Sequence, residues 1–138
     1  MTNRHLPLSH HIARYCPGSR LTQDGEVSGA AFYLRPEERF VSVEWLEYLQ
    51  QPDRNSEIQK VLEIFSSKLK LGSSAKIAIL NVGNLCRHVR TYSMYSIRVL
   101  HEPEDDDPAH SGIHDTVQDE MLISELIAEK VSALHPAH

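Results

Sequence analysis

No apolar run in this sequence approaches the roughly 20 residues a helix needs to cross a bilayer. The opening Met1-Thr-Asn-Arg-His-Leu-Pro also lacks the apolar core of a signal peptide. No membrane role and a cytoplasmic location are expected. Cysteine is scarce: Cys16 and Cys86 show no CxxC spacing and fall in different predicted elements. That pattern fits free thiols in a reducing compartment. Catalytic signatures are missing as well. Without HExxH, GxSxG or GxxxxGK[ST], zinc-peptidase, serine-hydrolase and phosphate-loop chemistries have no motif to stand on. No internal repeat and no dividing linker is present, so the 138 residues are expected to form one domain. That length buries a core without disulfides or metal.

What is present is ordinary in bulk, with 41% hydrophobic and 24% charged residues, as in a globular protein. The net charge of −5 conceals an asymmetry. Residues 1–100 hold 13 Lys and Arg against 9 acids, whereas residues 101–138 hold Lys130 alone against 10 acids. Either the acidic C-terminal part lies in solvent, or it covers a mildly basic surface and competes there with an anionic partner.

The stretch Ala75–Gly83 is the most continuously apolar in the chain, rich in Ile and Val and bounded by Gly72-Ser-Ser and Gly83-Asn84. It reads as a strand buried on both faces, with Ile77, Ile79, Leu80 and Val82 in the core. Before it, Ile58, Val61, Leu62, Phe65 and Leu69 recur at spacings of three and four, which predicts an amphipathic helix opening at Asn55. Toward the N-terminus, residues 10–15 suit a helical turn or an edge strand. Ala30, Phe32 and Leu34 alternate as in a strand, and with residues 40–43 they suggest a hairpin. After the central strand come a short helix over 85–89 and an alternating strand over 95–100. A parallel neighbour and an antiparallel arrangement for this last strand are both open. An irregular acidic loop is expected over 102–112, then a last helix from Asp115 or Thr116 to about Leu134. The sum is an α+β domain, a sheet of about four to five strands packed by two main helices.

Several phrases resemble those of a group of small uncharacterised bacterial proteins. They are Arg14-Tyr15, Asp24-Gly25, Ala31-Phe32-Tyr33-Leu34-Arg35, Ser42-Val43-Glu44-Trp45-Leu46-Glu47, Leu80-Asn81-Val82-Gly83 and Pro108-Ala109-His110-Ser111-Gly112-Ile113. The resemblance spans most of the chain. It implies a bacterial or phage-associated source and supplies no catalytic role.

Nine histidines are many for this length, and His101, His110 and His114 lie close together with Asp115 beside the last. Imidazole and carboxylate at such spacing suit a divalent metal or acid–base work. Gly112 between His110 and His114 argues for a loop that would hold neither ring in place, so neither a bound metal nor a cofactor is expected. Arg35 and Arg98 lie in predicted strands, where a cation needs an internal carboxylate such as Glu44 or Glu37, or an anionic ligand. His10-His11 with Arg14 could supply a base and a phosphate clamp, but such a terminal pair is more often exposed and inert. Ser111 beside His110 lacks the geometry of a nucleophile pair, and Cys86 reads as a core thiol. Lys68, Lys70, Lys76, Arg87 and Arg90 form at most a modest basic edge, so nucleic acid is weakly supported.

Two function classes remain. The first is an accessory or regulatory protein that binds another macromolecule, with Trp45, Tyr48 and the apolar helices offering surface to a protein partner or a second copy. The second is an enzyme on a phosphate-bearing substrate such as a nucleotide or RNA, using His110 or His114 with Arg35 or Arg98. Convergence of those four side chains in one pocket favours the enzyme, and their dispersal favours the binding module.

Overall fold

The computed structural model describes residues 4–137. Among them, six strands form one sheet in the order β4-β5-β2-β1-β3-β6, with every neighbouring pair antiparallel. The strands are β1 (His11–Cys16), β2 (Val41–Trp45), β3 (Lys76–Asn81), β4 (Arg98–His101), β5 (His110–His114) and β6 (Val131–Pro136). Three α-helices cover the sheet: α1 (Arg54–Lys68), α2 (Val82–Tyr92) and α3 (Glu120–Ala128). The α+β class expected from the sequence is the one found. None of the helices is long and apolar enough to cross a membrane.

Alternation along the strands divides the core in two. Ala13, Ile77 and Ile79 point to one face, where Ile58, Val61 and Phe65 of α1 cover them. Ile12, Ala78, Leu80 and Val43 point to the other, beneath Leu85 and Val89 of α2 and Ile123, Leu126 and Ile127 of α3. Ile77, Ile79, Leu80 and Val82 are all buried, as their composition predicts. Ile77, Ile79 and Leu80 lie on β3, which is next to an edge of the sheet with β1 and β2 the middle pair, whereas Val82 opens α2. Asp53 caps α1 by accepting from Ser56 N at 2.8 Å, and Asn81 caps α2 in the same way through Asn84 N at 2.8 Å. The second cap lets β3 run straight into α2 with no loop.

Three expectations are corrected. Residues 29–32 form a 3-10 turn, not a strand, because Phe32 packs under α3 and Ser124 Oγ donates to its carbonyl at 3.4 Å. The last helix stops at Ala128, and Val131–Pro136 instead pairs with β3 from Lys76 to Leu80. That pairing satisfies backbone groups a helix would have left open on β3. The acidic segment is not loop throughout, since His110–His114 is a strand between β2 and β4. Gly112 is required there for space: a Cβ would lie 2.2 Å from Cδ1 of Phe40, whose ring crosses that face. The strand expected over 95–100 is β4, which is no neighbour of β3 and is the last strand of the sheet on the opposite side.

Candidate functional site

The middle pair of strands does not stay paired. β1 and β2 are in register only at Ile12↔Trp45 and Ala13↔Glu44. Beyond that point β1 follows β3 to Cys16, whereas β2 follows β5 back to Val41. A cleft of about 870 Å3 opens at the split, lined by both strands, the segment 30–38, the end of α1 and the turn at 104–106. Its volume is that of an ordinary ligand site.

Arg14 fills part of the gap. Its Nε donates to Ala31 O at 3.0 Å and its Nη1 to Ser42 O at 2.8 Å. Both acceptors are carbonyls, and no carboxylate of the described residues lies in ion-pair range of this guanidinium. Burial holds Arg14 below the ordinary guanidinium range, and Arg35 and Arg20 add repulsion that Cys16 and Glu38 oppose. Arg20, Arg35 and Glu38 line the same cleft. Glu38 itself accepts from Arg35 N at 2.8 Å. This end therefore gathers three guanidinium groups around one carboxylate.

The other end is acidic. Glu44 and Asp107 are 2% and 1% exposed, only Glu44 of the two lines the cleft, and Glu44 Oε1 and Asp107 Oδ1 meet no N–H donor. Two enclosed carboxylates facing one another are costly, and one shared proton relieves the cost. Burial first, then the hydrogen bond and charge of Asp107, push Glu44 up to about 10. Burial also raises Asp107, but the bonds from Glu44 and Lys68 outweigh it and leave this carboxyl below its ordinary value. Glu44 is thus the protonated member at neutral pH. Lys68, at the end of α1, reaches Asp107 Oδ2 at 2.7 Å and Glu104 Oε1 at 2.9 Å. Desolvation lowers the Lys68 ammonium, yet those bonds win and hold it above its usual range. Glu104 and Asp107 also exchange backbone bonds at 3.1 and 3.0 Å, which makes the turn between them tight.

His110 stands beside Glu44, its direct partner in the β2–β5 register, and lines the cleft. Its Nδ1 donates to Glu102 O at 2.9 Å, which leaves Nε2 as the acceptor nitrogen. Its Nδ1 is 3.9 Å from Glu104 Oε2, too long for a hydrogen bond.

Of the four side chains whose convergence was at issue, Arg35 and His110 line the cleft and the other two do not. His114 shares the His110 face but stacks on Phe40 at 4.8 Å and bonds Glu102 Oε2 at 2.6 Å through Nε2. Arg98 is half exposed and forks onto Asp115 at 2.6 and 3.2 Å, so its partner is neither Glu44 nor Glu37. Asp115 holds a left-handed backbone, φ 76°, where β5 ends. His101 lies opposite Ser111 and hence on the other face from His110, with Nε2 2.7 Å from Pro108 O and its ring against Trp45 and Tyr48. Among the described residues, no three His, Cys, Asp or Glu side chains are grouped to hold a metal ion.

The remaining expected groupings separate as well. Trp45 is buried and donates from Nε1 to His10 Nδ1 at 2.9 Å, while Tyr48 beside it is 39% exposed. His11 pairs with Glu47 at 2.6 Å, away from Arg14. Lys68 is engaged in the cleft and Lys76 Nζ donates to Gly25 O at 3.3 Å, whereas Arg87 and Arg90 ride on α2 across the sheet. Sequence alone sets Arg14 with His10 and His11, Glu44 as a counter-ion for Arg35 or Arg98, and Lys68 in a basic edge, but it neither brings these residues together nor singles out Asp107. The signal for Glu44 was a lone acid within Val41-Ser-Val-Glu-Trp, at a position whose alternation points inward. Comparison with known proteins finds no matching family model, no similar curated protein and no similar solved structure.

Proposed function

We propose that the protein is a small accessory or regulatory protein that works by binding another macromolecule, and that the cleft seats an anionic group of that partner. The observation that carries this reading is Arg14, a largely enclosed guanidinium bound only to carbonyls. Buried charges are normally paired, and here Arg20 and Arg35 increase the unbalanced positive charge. A phosphate or carboxylate entering between the three guanidinium groups supplies the missing counter-charge in the planar geometry Arg favours. The exposed tips of Arg20 and Arg35 provide the reach, and Arg14 the fixed floor.

Thermal unfolding with and without inorganic phosphate and pyrophosphate, at constant ionic strength, tests the reading. A ligand of the native state stabilises by mass action, by about 2.7 kcal/mol at 100 times its dissociation constant. The melting temperature is expected to rise saturably with the anion, and the rise to vanish in the Arg20→Ala/Arg35→Ala variant. No saturable rise with either anion would refute it.

A second reading has its own observation. His110 and protonated Glu44 line the same cleft as the arginines. An imidazole and a carboxylic acid beside an anion site fit an enzyme acting on a phosphate-bearing substrate. Turnover of a nucleotide or RNA that is lost in His110→Asn, with phosphate binding retained, would establish this reading over the first.

A further inference from the structure

The split between β1 and β2 leaves backbone, as well as charge, without a partner. Along an antiparallel strand, successive residues turn their N–H and C=O groups to opposite neighbours. His11 O accepts from Leu46 N on the β2 side, so Ala13 and Tyr15 face that side too. Trp45 N donates to Ala109 O on the β5 side, so Glu44 and Ser42 face β1. The β1–β2 register ends at Ala13↔Glu44. One step further it would set Tyr15 opposite Ser42, but there the Ser42 carbonyl takes Arg14 Nη1 at 2.8 Å instead. The Tyr15 N–H and C=O and the Ser42 N–H therefore turn into the cleft that both residues line, with no ladder partner. Open strand edges of this kind pair with an extended chain.

The fork also fixes which part of a chain can enter. It is closed at Ala13↔Glu44 and open toward Cys16 and Val41, and Arg14 bridges it just past the closed end. A strand entering from the open end must stop at the guanidinium, so it arrives by a terminus. A terminal ammonium would meet like charge, because Arg20 and Arg35 line the same cleft, whereas a terminal carboxylate meets its counter-charge. Among the described residues Arg14 donates through Nε and Nη1, which leaves its Nη2 group for a carboxylate.

We propose that the anionic group seated in the cleft is the C-terminal carboxylate of a partner polypeptide, whose last residue pairs as a strand with Tyr15. The inference rests on the reading of the cleft as an anion site, and it names the group that bears the charge. Running toward the closed end, the segment is antiparallel to β1. Its last N–H donates to the Tyr15 C=O, and its carboxylate accepts from the Tyr15 N–H and from Arg14. Cross-strand partners share a face, so its last side chain lies on the face of the Tyr15 ring. Phe65, whose ring meets that of Tyr15 edge-on at 5.9 Å, and Leu69, 38% exposed just past the end of α1, line the cleft as well. An apolar C-terminal residue is the one this wall fits.

The probe is acetyl-Ala-Ala-Leu with a free carboxylate, titrated into the full chain by proton–nitrogen NMR at constant ionic strength. Its C-terminal amide is one control, and acetyl-Ala-Asp-Leu amide, which carries a side-chain carboxylate, is the other. The acid should bind saturably and each control at least about tenfold more weakly, the loss expected when a charge-assisted bond is removed. Solvent exchange of the Tyr15 amide should slow about tenfold when roughly nine-tenths of the protein is occupied. Arg35→Ala, at an exposed position, should weaken binding of the acid severalfold. No saturable binding of the acid, equal binding of either control, or unchanged Tyr15 exchange at saturation would each overturn the inference. Inorganic phosphate is titrated in parallel. Phosphate binding without discrimination among the peptides removes the strand-paired terminus and keeps the anion site, whereas binding of neither phosphate nor the acid removes both.

Discussion

Arg14 of β1 donates from Nη1 to the Ser42 carbonyl of β2, 2.8 Å away, beyond the point where the two strands cease to pair. A side chain here takes over from the backbone ladder. Nε does the same for Ala31, so one guanidinium ties together three segments that would otherwise part. The split holds the cleft open, and the residue that bridges it is also the cleft's most enclosed cation.

Replacing Arg14 by Met should cost about 2 kcal/mol, since bonds from a charged donor to two carbonyls are lost and both acceptors sit in a confined space. Urea denaturation checks this. A variant as stable as the parent would mean that the split is held by packing alone.

Glu44 has a pH signature of opposite sign to that of an ordinary salt-bridged acid. Its carboxyl titrates near 10 in the fold against 4.5 for the free group. Between those values the folded state keeps a proton that the unfolded chain has lost, so stability falls as pH rises. Glu44→Gln removes that dependence. Its stability relative to the parent should grow from pH 5 to pH 9, by up to about 1.4 kcal/mol per unit. Asp107 acts in the other direction: its lowered value contributes stability above the ordinary carboxyl range, lost as pH falls through the folded value. Denaturation midpoints of parent and variant across that range are the measurement, and parallel curves would place Glu44 as ionised.

The acidic segment should divide by residue. From sequence alone its acids look dispensable, five charges with no apolar anchor. Asp107 is instead buried on Lys68, while Asp105 and Asp106 are exposed. Asp105→Ser with Asp106→Ser should leave the melting temperature unchanged, and Asp107→Asn should cost about 1–3 kcal/mol. Equal effects from both changes would contradict the assignment of Lys68 to Asp107.

Gly112→Ala should destabilise the fold by driving a methyl into the Phe40 ring, 2.2 Å from Cδ1, a cost of about 1–3 kcal/mol. The same substitution made on Phe40→Ala should cost far less. A double-mutant cycle with no coupling would show that the glycine serves something other than the ring.

Much of the fold was legible because local pattern and tertiary need agreed. The stripe Ile58, Val61, Phe65 and the run Ile77–Leu80 each bury what their spacing says they bury. Where a short apolar segment fits either period, the neighbour decides. Val131–Pro136 became a strand because β3 had an unpaired edge, and Ala30–Phe32 a 3-10 turn because α3 lies on it. The site was harder to see. Arg14, Glu44 and Lys68 lie in three separate segments, and the divergence of β1 from β2 brings them to one cleft, with Asp107 buried behind Lys68. Histidines close in sequence were a poor guide, since strand alternation sends His101 to the opposite face from His110.

The central claim is that the cleft is an anion site with Arg14 at its floor. Its most direct test is the Arg14 Nε–Hε resonance, followed by proton–nitrogen NMR during a phosphate titration at constant ionic strength. The resonance should move saturably, and Arg35→Ala should weaken the apparent affinity. An Arg14 signal that stays fixed, while resonances elsewhere shift with phosphate, would contradict the account.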